Sequence, residues 1–446
     1  MRDAAHYLAL AADADRFVQH HRVDTEHGVR WRRTDAPNAR AELSLYHGSA
    51  GILLHQLEWY LATGDPARLA LARRAGDEIV ATAPQERLSV GFFPGTPGLA
   101  FALIELWRAT GDDAYRDAAD GLLRSLRAAA LPLGSGIGWK EGDPFADMTG
   151  VTGTYEIIDQ SVGACGAGMV LLHAARTGAV PDALDWAVGT ADRLLDVAER
   201  EPEGWRWTLM GDMPHVWRAP NFAHGSAGVG YFLADLWRAT GEQRYLDAAL
   251  EGARFVRHHA LPMGDGCLVR HTEDDVPTIF YLGVCHGPAG TGRLFHLLHD
   301  ITGDDVHRDF ADALLRGALA TGVPEQRIEG FWDNHSQCCG DAGLGDYALF
   351  LHARTGDPEA LAFAGRFADH IESRGTVVEG DDGPQRSWRQ LEHRNRPDLW
   401  QTATGLFQGA AGIGSFLLHL ATTLDGRAVK VPLPDQPFVA DPFHPC

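Results

Sequence analysis

Three of the six cysteines stand directly ahead of glycine-rich turns: Cys285 in VCHGPAG, and the adjacent Cys338 and Cys339 in QCCGDAG. Histidines hold the matching place elsewhere, His47 and His224 in two HGSAG segments and His286 beside Cys285. One carboxylate, Asp159, lies four residues before the first glycine of VGACG. Zinc takes Cys sulfur and His nitrogen in tetrahedral sites, and a catalytic zinc keeps one position open. Cys285, Cys338 and Cys339 are therefore predicted to bind one Zn2+, with His286 as a competing ligand and His47 as a weaker one. The same thiols also read as small buried hydrophobes beside tight turns, and Cys338–Cys339 as a vicinal disulfide. His224 reads either as a helix-end hydrogen-bonder or as an acid–base group. Asp159 reads either as a cap of the third helix or as a carboxylate of the site. Cys165, Cys267 and Cys446 are expected to be structural or incidental.

The elements that position these residues repeat seven times. A G-x-x-G pair recurs at Gly48/Gly51, Gly95/Gly98, Gly163/Gly166, Gly225/Gly228, Gly287/Gly290, Gly340/Gly343 and Gly409/Gly412. A mostly apolar run follows each pair and ends in most repeats at Thr-Gly, 13 residues after the second glycine in five repeats and 12 in the third. That length holds about three helical turns. The glycine of Thr-Gly suits a left-handed C-cap, and the Asp or Glu after it suits the next N-cap. A second, amphipathic segment then begins, with apolar residues at three- and four-residue spacing. Each repeat is thus an apolar helix covered by an amphipathic one. The predicted fold is all-α, an α/α toroid of seven helix pairs with inner and outer rings, since an open solenoid would leave the apolar helices wet. The chain reads as one domain over 1–446, with a lead-in over 1–42 and repeats starting near 46, 93, 159, 221, 284, 337 and 406. The glycine pairs are expected to crowd seven helix N-termini at one mouth, whose free N–H groups would favour anions.

The formal charge of −21 argues against nucleic acid or an anionic membrane as partner. No stretch approaches the ~18 apolar residues of a membrane span. The first segment, MRDAAHYLALAADADRF, lacks a signal-peptide core. A cytoplasmic location is expected, with free thiols rather than a disulfide framework.

The segments NFAHGSAG, VCHGPAG, QCCGDAG and LFQGAAGIG, in register with three further glycine pairs, resemble the lanthionine synthetase C-like family. The resemblance runs from about Tyr46 to the C-terminal region. It implies an α/α toroid with a central zinc. It also implies a peptide cyclase that adds cysteine thiols to dehydroalanine or dehydrobutyrine in a ribosomal precursor. By this likeness the family's two cysteine ligands fall on Cys285 and Cys338, its active-site histidine on His224 and its aspartate on Asp159. Cys339 replaces the usual third-ligand histidine, as in the subset of cyclases with three cysteine ligands. His286 stands where a tyrosine is common, Val284 where tryptophan often precedes the first cysteine, and the family arginine has no counterpart at Tyr281.

The chemistry implied is thiolate attack on the β-carbon, with His224 protonating the enolate and Asp159 orienting an acid or taking the thiol proton. The dehydrated precursor peptide is the expected partner, and a separate dehydratase or kinase/lyase protein must supply it. Three other readings stand beside this one. A sugar epimerase or glycosidase on the same toroid would need paired carboxylates and aromatic platforms at the mouth. A non-catalytic peptide-binding protein would keep zinc as structure alone. A third would add glutathione to dehydroamino acids in proteins.

Overall fold

A computed structural model describes residues 1–446 except 37, 87–88, 143–145, 147–151, 214–216, 437–439 and 444–446. Each apolar run ahead of a Thr-Gly pair, and the seventh that ends at TTLDG, is a helix. In chain order these are α2 (Ser49–Thr63), α4 (Thr96–Thr110), α6 (Ala164–Arg176), α8 (Ser226–Thr240), α10 (Pro288–Thr302), α12 (Asp341–Thr355) and α14 (Ala410–Leu424). The amphipathic segments are α3 (Pro66–Thr82), α5 (Asp113–Ala128), α7 (Ala183–Asp196), α9 (Gln243–His258), α11 (Asp305–Ala320) and α13 (Pro358–Arg374). The junction works as its composition suggests. In α8 the Thr240 hydroxyl bonds back to the Leu236 carbonyl at 3.0 Å, and Gly241 caps the helix at φ +71°. In the first, fifth and sixth repeats the next aspartate, Asp65, Asp304 or Asp357, accepts a first-turn N–H of the following helix.

The glycine pairs act differently from the expectation of free helix N-termini. The first-turn N–H groups are taken by carbonyls of the preceding loop, seven residues upstream. Ser49 donates to Glu42, Ala164 to Ile157, Ser226 to Ala219, Asp341 to Asn334 and Ala410 to Ala403, at 2.9–3.3 Å. The loop therefore lies against its own helix start and satisfies the donors that anion binding would need. A Cβ on Gly225 would collide with the Ala219 carbonyl oxygen, and one on Gly228 with that of Phe222. Glycine is needed there for close approach of backbone rather than for an unusual φ.

Two compact units divide the chain: residues 1–86, 102–118 and 324–446, and residues 87–101 and 119–323, with α4 and α5 running through both. In the first unit a helix lies within the sequence read as a lead-in, α1 (Ala4–His20), and it packs on α14. Gly414 of α14 leaves room for Ala14 there. Among the described residues α14 has no amphipathic helix after it, so α1 takes the outer place of the seventh pair. Asp15 of α1 reaches Gln56 of α2 (2.8 Å) and Arg68 of α3.

All described strands form two-stranded antiparallel hairpins, several of them directly after outer helices: Arg22–Asp24 with Val29–Trp31, Leu131–Leu133 with Gly136–Gly138, Glu199–Glu201 with Gly204–Arg206, and Ala260–Met263 with Gly266–Val269. Their glycines Gly28, Gly136, Gly204 and Gly266 press on the backbone of the next outer helix, at Arg74, Gly189, Glu251 and Ala313. Trp139 and Trp207, each three residues on, donate their indole N–H to carbonyls of the helix before, Leu126 (2.9 Å) and Leu194 (2.8 Å). These hairpins fasten one outer helix to the next. Among the described residues no helix is long and apolar enough to cross a membrane.

Candidate functional site

In five of the seven repeats the residue two before the first glycine of the pair donates a hydrogen bond to the same place in the next repeat. In the second unit Phe93 donates to Ser161 (3.1 Å), Ser161 to Ala223 (3.2 Å) and Ala223 to Cys285 (2.8 Å). In the first unit Cys338 donates to Phe407 (3.1 Å), and Phe407 to Tyr46 (3.0 Å). Cys285 and Cys338 hold this place in their repeats, while His47, His224, His286 and Cys339 hold the next one. Repeat register therefore fixes where these side chains stand at each mouth.

In the second unit, Asp159 and His224 meet. Asp159 is buried, and its Oδ2 lies 2.5 Å from His224 Nδ1. Its Oδ1 accepts the Val162 N–H at 2.7 Å. Asp159 thus holds its own turn and the imidazole, and it does not cap α6, whose N-cap Gly163 has no side-chain bond. His286 packs beside His224 with ring centroids 5.2 Å apart. Burial first, then the neighbouring His271 and His224, push the His286 imidazole well below its ordinary pKa, so it is neutral at pH 7. Its Nδ1 is buried with no hydrogen-bond partner among the described residues. His271, Tyr281 and Trp217 complete this wall, and none was singled out as a site residue from sequence. His271 sits 4.3 Å from the Tyr281 ring and 4.5 Å from the His286 ring, centroid to centroid. Trp217 has φ +54°, unusual for a bulky side chain, and turns its ring edge toward His224 and His271.

In the first unit, Cys338 is buried and Cys339 half-buried, with their Sγ atoms 3.4 Å apart. No disulfide joins them, and Cys165, Cys267 and Cys285 likewise stand outside any disulfide. His47 turns to a carboxylate rather than to sulfur, Nε2 lying 3.4 Å from Glu392. Burial alone would raise Glu392, but the bond and charge of His47, with Arg33, bring its pKa down to about 2. Behind the thiols, Asp341 binds His335 at 2.5 Å and Arg327 at 2.8 Å, and Arg327 also reaches His370 at 3.0 Å. Arg327 thus already gives Asp341 and His370 a cationic partner. Cys165 is fully buried with a raised pKa caused first by burial, and Cys267 is part of a hairpin strand. Cys446 lies outside the described residues.

Inner helices closed by glycine mouths, covered by amphipathic helices and carrying thiols and imidazoles at one register, define an α/α-toroid protein. Residues 40–431 match the family described as lanthionine synthetase C-like protein, and the chain belongs to that family. The fold is that family's all-α toroid. Among solved structures it is similar to one titled "Nisin cyclase", at 16% identity and TM-score 0.58, over 93% of each chain. It is also similar to the GH76A alpha-1,6-mannanase from Salegentibacter sp. HEL1_6, at 16% identity and TM-score 0.49, over 94% of this chain and 99% of that one. No curated protein matches it.

Proposed function

We propose that this protein is a zinc-dependent peptide cyclase, closing thioether rings by adding cysteine thiols to dehydroalanine or dehydrobutyrine in a ribosomal precursor. The observation that carries the reading is the Asp159–His224 pair beside the Cys285 mouth, in a chain of the lanthionine synthetase C-like family. The seven repeats would act as one domain, in the cytoplasm, on a peptide already dehydrated by another protein.

Cys285, Cys338 and Cys339 are a donor set that could hold a metal ion. Three thiols outside any disulfide suit zinc in both softness and number, leaving a fourth position for a substrate. A zinc ion held by them would lower the pKa of a bound substrate thiol. His224, protonated, holds one proton on Nδ1 against Asp159 and delivers the other from Nε2 to the α-carbon of the enolate. Asp159 fixes the ring's direction and stabilises its charge. The wall of buried His286 with half-buried Tyr281 and Trp217 limits water around that proton.

The test is co-expression with a dehydrated precursor, read by thiol alkylation and mass spectrometry. Ring closure removes the alkylatable cysteines without a change in peptide mass. Peptide thiols that stay fully alkylatable in the presence of zinc-loaded protein would remove the reading. Elemental analysis of the purified protein should give one zinc per chain, lost in Cys285→Ala plus Cys338→Ala.

A further inference from the structure

His224 is not alone among the imidazoles of the second unit in being backed by a carboxylate. His271 Nδ1 lies 2.8 Å from Asp275 Oδ2, and the same oxygen accepts the Thr272 N–H at 3.2 Å. His271 is 6% exposed, and its ring meets three others: stacked on Tyr281, edge-on to His286 and edge-on to Trp217. Its backbone is pinned as well. The N–H donates to Ile279 (2.8 Å), and the Asn221 amide donates to the Arg270 carbonyl (2.6 Å). Asn221 also takes the Thr291 hydroxyl at 3.0 Å and stands three residues before His224. The loop that carries His271 is thus tied to the loop that carries His224, and His286 packs against both rings. A carboxylate on Nδ1 fixes the tautomer and the direction of the ring, as Asp159 does for His224.

We infer that the His271–Asp275 pair is a second proton-transfer device of this site, an inference that rests on the cyclase reading above. Thioether formation moves two protons in opposite directions. The substrate thiol gives its proton to His271 Nε2 while Asp275 holds the proton on Nδ1. Sulfur forms its bond to the β-carbon, and the π pair moves toward the carbonyl as an enolate. The α-carbon then takes the proton carried by His224. His271 returns its proton to solvent and His224 is recharged from it, so the addition balances without an oxidant or reductant. Separate donor and acceptor rings let sulfur and hydrogen arrive from different sides of the double bond.

The test uses the full-length protein, zinc and a dehydrated precursor peptide. Wild-type protein that closes no ring refutes the cyclase reading itself, before any variant is compared. With an active wild type, His271→Ala is expected to lower kcat by about 100-fold, KM staying within about threefold, with added imidazole restoring part of the rate. A kcat within about threefold of wild type, or a loss that imidazole does not restore, overturns the inference. If His271→Ala does not fold, Asp275→Asn decides: a kcat fall of about tenfold or more at unchanged KM supports it, and wild-type kinetics overturn it.

Discussion

His224 and Asp159 are 65 residues apart in the chain and 2.5 Å apart in the structure. Their pairing makes a specific kinetic prediction. His224→Asn should leave zinc content unchanged and slow ring closure by about two to four orders of magnitude, the usual cost of a missing general acid. It should also loosen control of the α-carbon configuration, because water then protonates from either face. Zinc content, rate and lanthionine stereochemistry measured together check this, and an unchanged rate would return His224 to a packing role. Cys338→Ala should instead lose metal and rate together. The residue types at the mouth were readable from sequence because each repeat puts one side chain at the same register. His271, Tyr281 and Trp217 were not, because they lie in stretches between repeats where no register applies.

At the scale of elements, two kinds of glycine separate cleanly. Gly225 has an extended φ of −163°, yet a Cβ there would strike the Ala219 carbonyl oxygen. Gly241 has φ +71° and nothing within 4 Å of an added Cβ. Gly225→Ala is therefore expected to destabilise by more than about 2 kcal/mol, through displaced backbone. Gly241→Ala should cost about 1 kcal/mol, the penalty of a left-handed alanine. Equal shifts in denaturant midpoint for the two variants would contradict this account. The helices and their caps were legible because the Thr-Gly-acid junction is local chemistry. G-x-x-W recurs at Gly28–Trp31, Gly136–Trp139 and Gly204–Trp207 and marks three of the hairpins. That signal has the same physical content as the glycine mouths, a backbone pressed on a neighbouring helix, and a search for repeated tryptophans would have found it.

At the scale of the molecule, the chain's two ends converge on the first unit. α1 covers α14, and the C-terminal segment enters a buried ion cluster of α2, α12 and α14. His419 lies 3.1 Å from Glu58 and 2.8 Å from Asp346, Lys430 donates to Asp346 at 3.0 Å, and the Val431 N–H to Glu58 at 3.1 Å. Burial would lower the His419 pKa, but the charges of Asp346 and Glu58 raise it to about 9. A raised histidine stabilises fully below its unfolded value of about 6.5, and the benefit is lost as pH rises through about 9. The loss is on the order of 3 kcal/mol for a shift of this size. Stability should thus fall between pH 7 and 9.5, and His419→Gln should lower stability at pH 7 while flattening that fall. A variant whose melting temperature declines with pH as steeply as the wild type would contradict the assignment.

The sequence by itself determined the seven inner helices, six of the outer ones, the caps at their junctions and the register that sets Cys285, Cys338, Cys339, His47, His224 and His286 ahead of their turns. Those features depend on contacts within a repeat, and a repeat states them seven times. Tertiary structure alone decided that Asp159 holds His224, that His47 turns to Glu392, and that α1 serves as the outer helix of the last repeat. It also decided that loop carbonyls fill the helix N-termini. Each of these joins groups through connections of unequal length, and no local periodicity encodes which side chain a loop of irregular path will bring to its partner.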